Sequence, residues 1–169
     1  PIDYAGVPCE IEPLVAVAKK HGLRVVLDAA QSMHSFFKGS PVGTHADMTA
    51  FSFHETKNFS CGEGGALFIK ADDLAERARF IQEKGTDRTL VMSGAKKRYG
   101  WIDKGSSFLL SDIQAAMLLA QLENIESIVE KRGKVVRAYR DLMSPYEKGG
   151  LLSVSHSPSY TQHNHNAFF

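Results

Sequence analysis

FSFHETKNFSCGEGGA, residues Phe51–Ala66, joins two apolar segments through a polar turn and a glycine-rich run. The apolar segments, residues 48–53 and 65–69, predict two buried β-strands. Lys57 comes just past the end of the first of them, among serine, histidine, glutamate, threonine and asparagine residues. A lysine in this setting can lose enough hydration to act as an amine nucleophile. Lys57 is therefore the candidate catalytic residue.

The residues before this stretch predict an α/β fold. Cys9–His21 has apolar residues at three- and four-residue spacing, with Pro13 in the first turn and Gly22 after the end, which is typical of a helix. Leu23–Asp28 is an apolar run that ends in an acid, and it predicts a buried parallel strand. A helix, a short turn and a strand in this order indicate an α/β architecture.

Asp28 opens a DAAQ motif at the carboxyl end of that predicted strand. Open α/β sheets place their ligand-binding groups at this end of the strands. An isolated aspartate there is commonly a turn or capping residue. The functional interpretation is an anionic partner for a cationic nitrogen of a ligand, and the residue by itself leaves both interpretations open.

The remaining segments predict loops and two helices. Residues 32–47 carry turn signals, and an acid pair at 72–73 predicts the start of a helix that ends near Lys84 and Gly85. Residues 86–107 form a polar segment, in which the basic side chains of Arg88, Lys96, Lys97 and Arg98 either meet a phosphate-bearing ligand or a partner subunit, or form a solvated surface. A capping pattern at 111–114 predicts the longest helix, with apolar periodicity that continues toward Tyr139.

Composition describes an ordinary globular protein of 169 residues with 43% hydrophobic residues, 23% charged residues and a net charge of +1. This balance does not indicate nucleic acid or a membrane as a partner. Two cysteines favour free thiols in a reducing compartment, and no segment approaches the roughly 20 apolar residues of a membrane helix, so we expect a cytoplasmic protein. The seven histidines show no convincing ligand spacing, and no metal site is predicted.

The two ends of the sequence suggest a fragment of a longer protein. The chain starts at Pro1 without a methionine and stops at Phe168 and Phe169, in what resembles the start of a strand. Glycine, serine and proline accumulate after Pro145. We therefore predict that residues 1–147 form part of a large α/β domain, and that residues 148–169 form a linker and the start of a small C-terminal domain.

An acid at the end of one strand and a lysine just past the next are the pair that pyridoxal 5′-phosphate (PLP) enzymes use. The lysine forms a Schiff base with the aldehyde, and the acid keeps the pyridine nitrogen protonated. The run Gly62–Gly65 allows close approach of backbone to a ligand, but it lacks the lysine and spacing of a nucleotide P-loop.

Several linked motifs carry a family resemblance. They are DAAQ at 28–31, SFHETKNFSCGEGGALF at 52–68, RFIQEKGTDR at 79–88, SDIQAAMLLAQLE at 111–123 and the opening PIDYAG. Together they resemble the DegT-type nucleotide-sugar aminotransferases of PLP fold type I, with the greatest likeness to the dTDP-4-amino-4,6-dideoxygalactose transaminases. The resemblance implies a three-layer, PLP-dependent transferase-like large domain, present here in part.

The resemblance also implies roles for individual residues. Lys57 matches the Schiff-base lysine, Asp28 the partner of the pyridinium nitrogen, and Gln31 the residue that contacts the cofactor ring near its phenolic oxygen. Ser52 matches a serine that contacts the cofactor phosphate, and His54 lines the same turn.

Ser107 stands where many members of the family carry an asparagine that reaches the phosphate of the neighbouring subunit's cofactor, so a homodimer is expected. In the family, glutamate donates the amino group and becomes 2-oxoglutarate, and a 4-keto-6-deoxy nucleotide sugar receives it. For this protein the resemblance implies dTDP-4-dehydro-6-deoxyglucose as the acceptor and a role in making surface polysaccharide or a related glycan.

Three alternatives compete with this assignment. Sugar dehydratases related to the family have histidine where Lys57 stands. A non-catalytic regulator or scaffold with a transaminase-like fold is disfavoured because Asp28, Gln31 and Lys57 are all present. A histidine metalloprotein lacks convincing ligand spacing. Because the family's N-terminal phosphate loop and ring-stacking residue fall outside this sequence, we expect the chain alone to bind PLP weakly or not at all and to be inactive.

Overall fold

The computed structural model describes residues 1–169 and contains five α-helices and six short strands. The helices are α1 (Ile11–Lys20), α2 (Asp72–Gln82), α3 (Arg88–Met92), α4 (Asp112–Leu122) and α5 (Ile125–Lys148). The strands are β1 (Val26–Asp28), β2 (Phe36–Phe37), β3 (Ser40–Pro41), β4 (Met48–Ser52), β5 (Gly65–Ile69) and β6 (Thr161–Gln162). The predicted strands on both sides of the lysine turn are confirmed as β4 and β5.

The main sheet has the strand order β1-β4-β5, and β1 runs parallel to β4. Leu27 of β1 lies opposite Thr49 of β4, and these side chains are 3% and 0% exposed. Asp28 lies opposite Ala50, and Asp28 is exposed. Because side chains alternate between the two faces of a sheet, one face of β1 and β4 is buried in the core and the other is open.

The core packs α1 against the buried face of this sheet. Ile11 and Ala18 of α1 are buried in one cluster with Leu27 and Ala29. Residues seven apart in a helix lie on the same face, which explains why these two side chains point inward together. Full burial of an isoleucine or leucine side chain contributes about 1.5–3 kcal/mol. This cluster therefore holds β1, whose last residue is Asp28, firmly in place.

A second, smaller sheet has the order β3-β2-β6. In it, β2 pairs antiparallel with its neighbour β3 and, on its other side, with β6 from near the end of the chain. Phe37 of β2 is 1% exposed, and the rings of His45 and Tyr160 contact it edge to face. The C-terminal segment is therefore attached to the body of the protein by both strand pairing and aromatic packing.

The chain divides into two compact units. The first comprises residues 1–68 and 113–169, and the second comprises residues 69–112. In the second unit, Gly85 has a φ of +75°, and a Cβ at this position would lie 1.9 Å from the carbonyl oxygen of Asp103. Only glycine fits this close approach, which joins the end of α2 to the segment around residue 103.

The prediction of one long helix from residue 111 toward Tyr139 is wrong, because α4 ends at Leu122 and α5 starts at Ile125. Asn124 lies between the two helices with a φ of −113° and a ψ of 20°. Its side-chain Nδ2 donates to the carbonyl oxygen of Ala120 at 2.8 Å. Asparagine side chains compete in this way for backbone carbonyl groups and favour helix ends.

Other boundaries also differ from the predictions. The loop predicted at residues 32–47 contains β2 and β3, and residues 86–107 contain α3. Residues 168 and 169 lie outside the strands of this chain, so the start of a strand there stays a prediction. Strands of two residues and a helix of five carry too little periodicity to be recognised in a sequence.

The predicted domain division at residues 147 and 148 stays a prediction about the longer protein. Within this chain, the residues after Lys148 are grouped with the first unit. None of the helices combines the length and the apolar character that crossing a membrane would require.

Candidate functional site

The open face of β1 and β4 brings the first two predicted site residues to one end of the sheet. Asp28 is opposite Ala50, and Ser52 follows Ala50 by two residues in β4. By the alternation of side chains, Asp28, Ala50 and Ser52 share a face. The carboxyl ends of these two parallel strands therefore present a carboxylate and a hydroxyl group on the side away from the core.

The backbone of Asp28 is held from both sides. Its N–H donates to the carbonyl oxygen of Pro1 at 3.0 Å, and its own carbonyl oxygen accepts the N–H of Asp3 at 2.9 Å. One side-chain oxygen, Oδ1, accepts the N–H of Ala30 at 3.0 Å. The other oxygen, Oδ2, has no partner within the chain. The local turn thus orients the carboxylate and leaves one of its oxygens available to a ligand.

Lys57 lies in a tight turn directly after β4. Its N–H donates to the carbonyl oxygen of His54 at 3.0 Å, and the N–H of His54 donates to Ser52 Oγ at 3.3 Å. The His54 ring reaches Thr56 Oγ1 through Nδ1 at 2.9 Å and the Glu63 carboxylate through Nε2 at 3.7 Å. His54 therefore stabilises the turn after β4 that carries Lys57, as its position in the sequence predicted.

The side chain of Lys57 is half-buried, and its Nζ makes no hydrogen bond or ion pair within the chain. Most lysine side chains keep their charge in water or next to a carboxylate. An amine that is partly withdrawn from water and has no partner is suited to react with a carbonyl group of a ligand.

The glycine-rich segment after Lys57 is fastened to α4 by two glutamine side chains. Gln121 accepts the N–H of Ser60 at 3.0 Å through Oε1 and donates through Nε2 to the carbonyl oxygen of the same residue. Gln114 donates to the carbonyl oxygen of Glu63 at 2.9 Å. The loop that follows the lysine is therefore held by side chains that satisfy its backbone groups.

These two glutamines were missed in the sequence, where the segment from residue 111 toward Tyr139 predicted only an apolar helix. A signal was present, because Gln114 and Gln121 are seven residues apart and so lie on one face of an otherwise apolar helix. Two polar residues on one face of an apolar helix indicate that this face meets polar groups, but they do not identify those groups.

Close backbone approach explains the glycine at the start of β5. A Cβ at Gly65 would lie 2.9 Å from the carbonyl oxygen of Phe51. The N–H of Phe53 donates to the carbonyl oxygen of Gly64 at 2.8 Å, and that of Cys61 donates to the carbonyl oxygen of Phe53 at 3.0 Å. The chain thus folds back along β4 immediately after the lysine turn, and the buried Cys61 anchors it.

Gln31 follows Asp28 by three residues and lies next to the N-terminal segment. Its side-chain Oε1 accepts the N–H of Ala5 at 2.5 Å, whereas Nε2 has no partner within the chain. The free amide group is compatible with a contact to a ligand, and the predicted contact with a cofactor ring stays a prediction.

Ser107 belongs to the second unit, where it forms an isolated antiparallel bridge with Glu83 and is exposed to solvent. Its predicted contact with a cofactor phosphate of a neighbouring subunit also stays a prediction.

The chain matches a known family along nearly its whole length. The model of the DegT/DnrJ/EryC1/StrS aminotransferase family matches residues 1–168. GDP-perosamine synthase of Caulobacter vibrioides is 32% identical over 144 residues, which are 85% of this chain and 37% of that protein. Spore coat polysaccharide biosynthesis protein SpsC of Bacillus subtilis is 32% identical over 143 residues, 83% of this chain and 37% of that protein.

Solved structures show the same likeness. A DegT DnrJ EryC1 StrS aminotransferase from Brucella abortus superposes with a TM-score of 0.84 at 27% identity, covering 99% of this chain and 42% of the other. DesI, solved in the presence of its TDP-sugar product, superposes with a TM-score of 0.81 at 28% identity, covering 99% of this chain and 40% of DesI. This chain therefore spans less than half the length of each of these relatives.

The fold is that of the large domain of fold type I transferases, present in part, as the sequence predicted. The chain belongs to the DegT/DnrJ/EryC1/StrS aminotransferase family.

Proposed function

We propose that the protein carrying this chain is a PLP-dependent sugar-nucleotide aminotransferase. The observation that carries the proposal is the arrangement at the ends of β1 and β4. An oriented carboxylate at Asp28 and the hydroxyl group of Ser52 share the open face of the sheet, and the unpartnered amine of Lys57 follows in the next turn. Membership of an aminotransferase family supports the same chemistry.

The chemical groups present fit PLP. This cofactor offers an aldehyde, a pyridine nitrogen and a phosphate, which suit an amine, a carboxylate and hydroxyl or backbone N–H donors respectively. Asp28 Oδ2 has no partner within the chain, and neither does Lys57 Nζ, so both are available to a cofactor. When bound, PLP supplies an electron-accepting ring that stabilises negative charge at the carbon next to the substrate nitrogen.

Each residue then has a defined task. Lys57 Nζ would hold the cofactor covalently and, once free, would move a proton at the substrate carbon. Asp28 Oδ2 would hold a proton on the pyridine nitrogen, while its Oδ1 remains bonded to the N–H of Ala30. Ser52 Oγ would bind the phosphate, and Gln31 Nε2 would contact the ring.

We propose glutamate as the amino donor and a 4-keto-6-deoxy nucleotide sugar, dTDP-4-dehydro-6-deoxyglucose, as the acceptor. The support is the family and the likeness to DesI, whose structure was solved with a TDP-sugar product. SpsC, named for spore coat polysaccharide biosynthesis, supports a role in surface polysaccharide. We also propose a homodimer in which Ser107 approaches the cofactor of the other subunit.

The first test is covalent attachment of PLP in the protein's full natural chain. We expect borohydride reduction in the presence of PLP, followed by digestion and mass spectrometry, to label the peptide that contains Lys57. The label should disappear in Lys57→Ala and persist in Lys134→Ala, because Lys134 is an exposed residue paired with Glu130 at 2.8 Å. Labelling of other lysines without Lys57 would overturn the proposal.

The second test measures amino transfer. Glutamate is incubated with a panel of dTDP-, GDP- and UDP-linked 4-keto-6-deoxy sugars, and formation of 2-oxoglutarate and of the amino sugar is followed. We expect turnover with the dTDP-linked sugar that Lys57→Ala abolishes. A protein that takes the PLP label on Lys57 but converts none of these sugars would instead support the non-catalytic regulator.

A further inference from the structure

Asn164, near the end of the chain, is fully buried at 1% exposure although it is polar. It follows β6 by two residues. Buried asparagine is uncommon, and its polar groups must find partners inside the protein. Its partners come from both chain segments that carry the proposed cofactor-binding residues.

The first set of partners lies in the segment that follows Asp28. Asn164 Nδ2 donates to the carbonyl oxygen of Gln31 at 2.9 Å and to that of Met33 at 2.8 Å. The N–H of Asn164 donates to Ser35 Oγ at 3.1 Å. Three hydrogen bonds from one residue therefore fix the course of the chain immediately after the DAAQ motif.

The second partner lies next to Lys57. Asn58 Nδ2 donates to the carbonyl oxygen of Asn164 at 2.8 Å. Asn164 is 106 residues away from Asn58 and 133 residues away from Gln31 in the sequence. It is thus a single buried residue that is bonded to both halves of the site.

The fit around Asn164 is tight. Its Oδ1 accepts the N–H of Asn166 at 3.0 Å. A Cβ on Gly6 would lie 2.0 Å from the same oxygen, so the glycine leaves the space that the asparagine amide fills. Close packing on this side prevents the amide from turning to other partners.

We propose that Asn164 is a positioning residue that sets the spacing between the Asp28–Gln31 segment and the Lys57 turn. It touches neither segment's reactive atoms and acts through the backbone of Gln31 and the side chain of Asn58. The consequence for PLP rests on the proposed function, whereas the coupling of the two segments does not depend on it. The C-terminal segment is then part of the framework that supports the site.

Asn164→Asp is the informative variant. The two side chains have nearly the same shape, and the aspartate can still accept the N–H of Asn166. An oxygen replaces the Nδ2 donor and faces the carbonyl oxygens of Gln31 and Met33, so two hydrogen bonds become repulsive contacts. Thr49→Val is the matched control, because it removes one buried bond, from Thr49 Oγ1 to the carbonyl oxygen of Gly43 at 3.2 Å, on the core face of β4.

The first measurement is amide hydrogen exchange of the full natural chain without added PLP. In Asn164→Asp we expect faster exchange in peptides covering residues 29–36 and also in those covering 54–62, with α2 unchanged as an internal reference. Faster exchange confined to residues 160–169, or to only one of the two segments, would overturn the proposal. If Asn164→Asp does not fold, the test uses Asn58→Ala, which removes only the bond between Asn58 and Asn164. We expect faster exchange at residues 54–62 and no change at residues 29–36. Unchanged exchange at residues 54–62 would overturn the proposal.

The second measurement is PLP affinity, followed by absorbance of the bound cofactor at a temperature where each variant is folded. We expect Asn164→Asp to bind PLP about tenfold more weakly or worse than the natural chain, and Thr49→Val to bind it normally. Equal affinities for Asn164→Asp and the natural chain would overturn the positioning role. If the full natural chain itself does not bind PLP, the proposed function fails. The exchange experiment still tests the coupling of the two segments in that case.

Discussion

Asp28 lies opposite Ala50 across the parallel pair of β1 and β4, and the N–H of Ala29 donates to the carbonyl oxygen of Ala50 at 2.9 Å. This register places Ser52 on the same face as Asp28, about 7 Å farther along the neighbouring strand. The backbone hydrogen bonds of the parallel pair therefore set the spacing of the carboxylate and the hydroxyl group. This spacing does not depend on a ligand, which suits the planar cofactor of the proposed function.

Replacing Asp28 with asparagine tests the role of the carboxylate charge. Because the side-chain oxygen can still accept the N–H of Ala30, we expect the thermal midpoint to stay near that of the natural chain. Loss of the charge that holds a proton on the pyridine nitrogen is expected to reduce kcat for amino transfer by about 10²–10⁴-fold. Steady-state kinetics with glutamate and the keto sugar provide the measurement, and near-normal turnover would contradict the assignment of Asp28.

Gln121→Ala tests whether α4 holds the loop after Lys57. The change leaves the backbone N–H and carbonyl oxygen of Ser60 without their partner, and we expect a loss of about 1–3 kcal/mol in the free energy of unfolding. Gln114→Ala is the comparison, since its bond to Glu63 is exposed to solvent and its loss should cost less. Urea titration measures both, and equal effects of the two substitutions would show that Gln121 has no special role.

His163 makes stability depend on pH. Burial, followed by the positive charges of His165 and Arg140, lowers the pKa of His163 from 6.5 to about 4. Between these two values the unfolded chain binds a proton that the folded chain does not, so the free energy of unfolding falls as the pH is lowered from 6.5 to 4. We expect His163→Gln to make this decline shallower, as measured by urea titration at several pH values.

His165 contributes to the slope that remains in that variant. The pKa of His165 is also lowered, by burial and by the charges of Arg137, Arg132 and Arg140, and it acts in the same direction. Parallel curves for the natural chain and His163→Gln would contradict the lowered pKa of the half-buried His163.

Gly85→Ala tests the close approach in the second unit. A methyl group there would lie 1.9 Å from the carbonyl oxygen of Asp103, in addition to the strain of a φ of +75°. We expect a loss of roughly 3 kcal/mol or more, because backbone on both sides must move. Gly94→Ala is the control: it has a φ of +79° but no atom within 4 Å of its Cβ, so it should lose only about 1–2 kcal/mol from backbone strain. Thermal or urea unfolding of the two variants measures the difference, and equal losses would contradict the close approach.

Local periodicity predicted much of the fold. The helix before β1, the strands β4 and β5, and the start of α2 at Asp72 all appear where apolar spacing and capping residues indicated them. The break between α4 and α5 was missed, because apolar residues recur at helical spacing on both sides of Glu123 and Asn124. Only the bond from Asn124 Nδ2 to the carbonyl oxygen of Ala120 marks the end of α4.

Part of the candidate site, like part of the fold, could be predicted from the sequence. Chain order alone places Asp28 and Lys57 after the ends of neighbouring strands, because parallel strands bring their carboxyl ends to one edge of a sheet. The contributions of Gln121 and Asn164 could not be derived in this way. Both residues bond to segments that are distant in the sequence, at separations of 61, 106 and 133 residues.

The amino-acid sequence by itself therefore determined the α/β architecture, the family and the position of Lys57 after β4, since these depend on short-range patterns of apolar and polar residues. Only the tertiary structure decided which distant residues hold the site together. It pairs β6 with β2, buries Asn164 between the two site segments, and sets Gln121 against Ser60. The physical reason is that buried polar groups take whichever partner the packed chain brings within hydrogen-bond distance, and no local pattern records that partner.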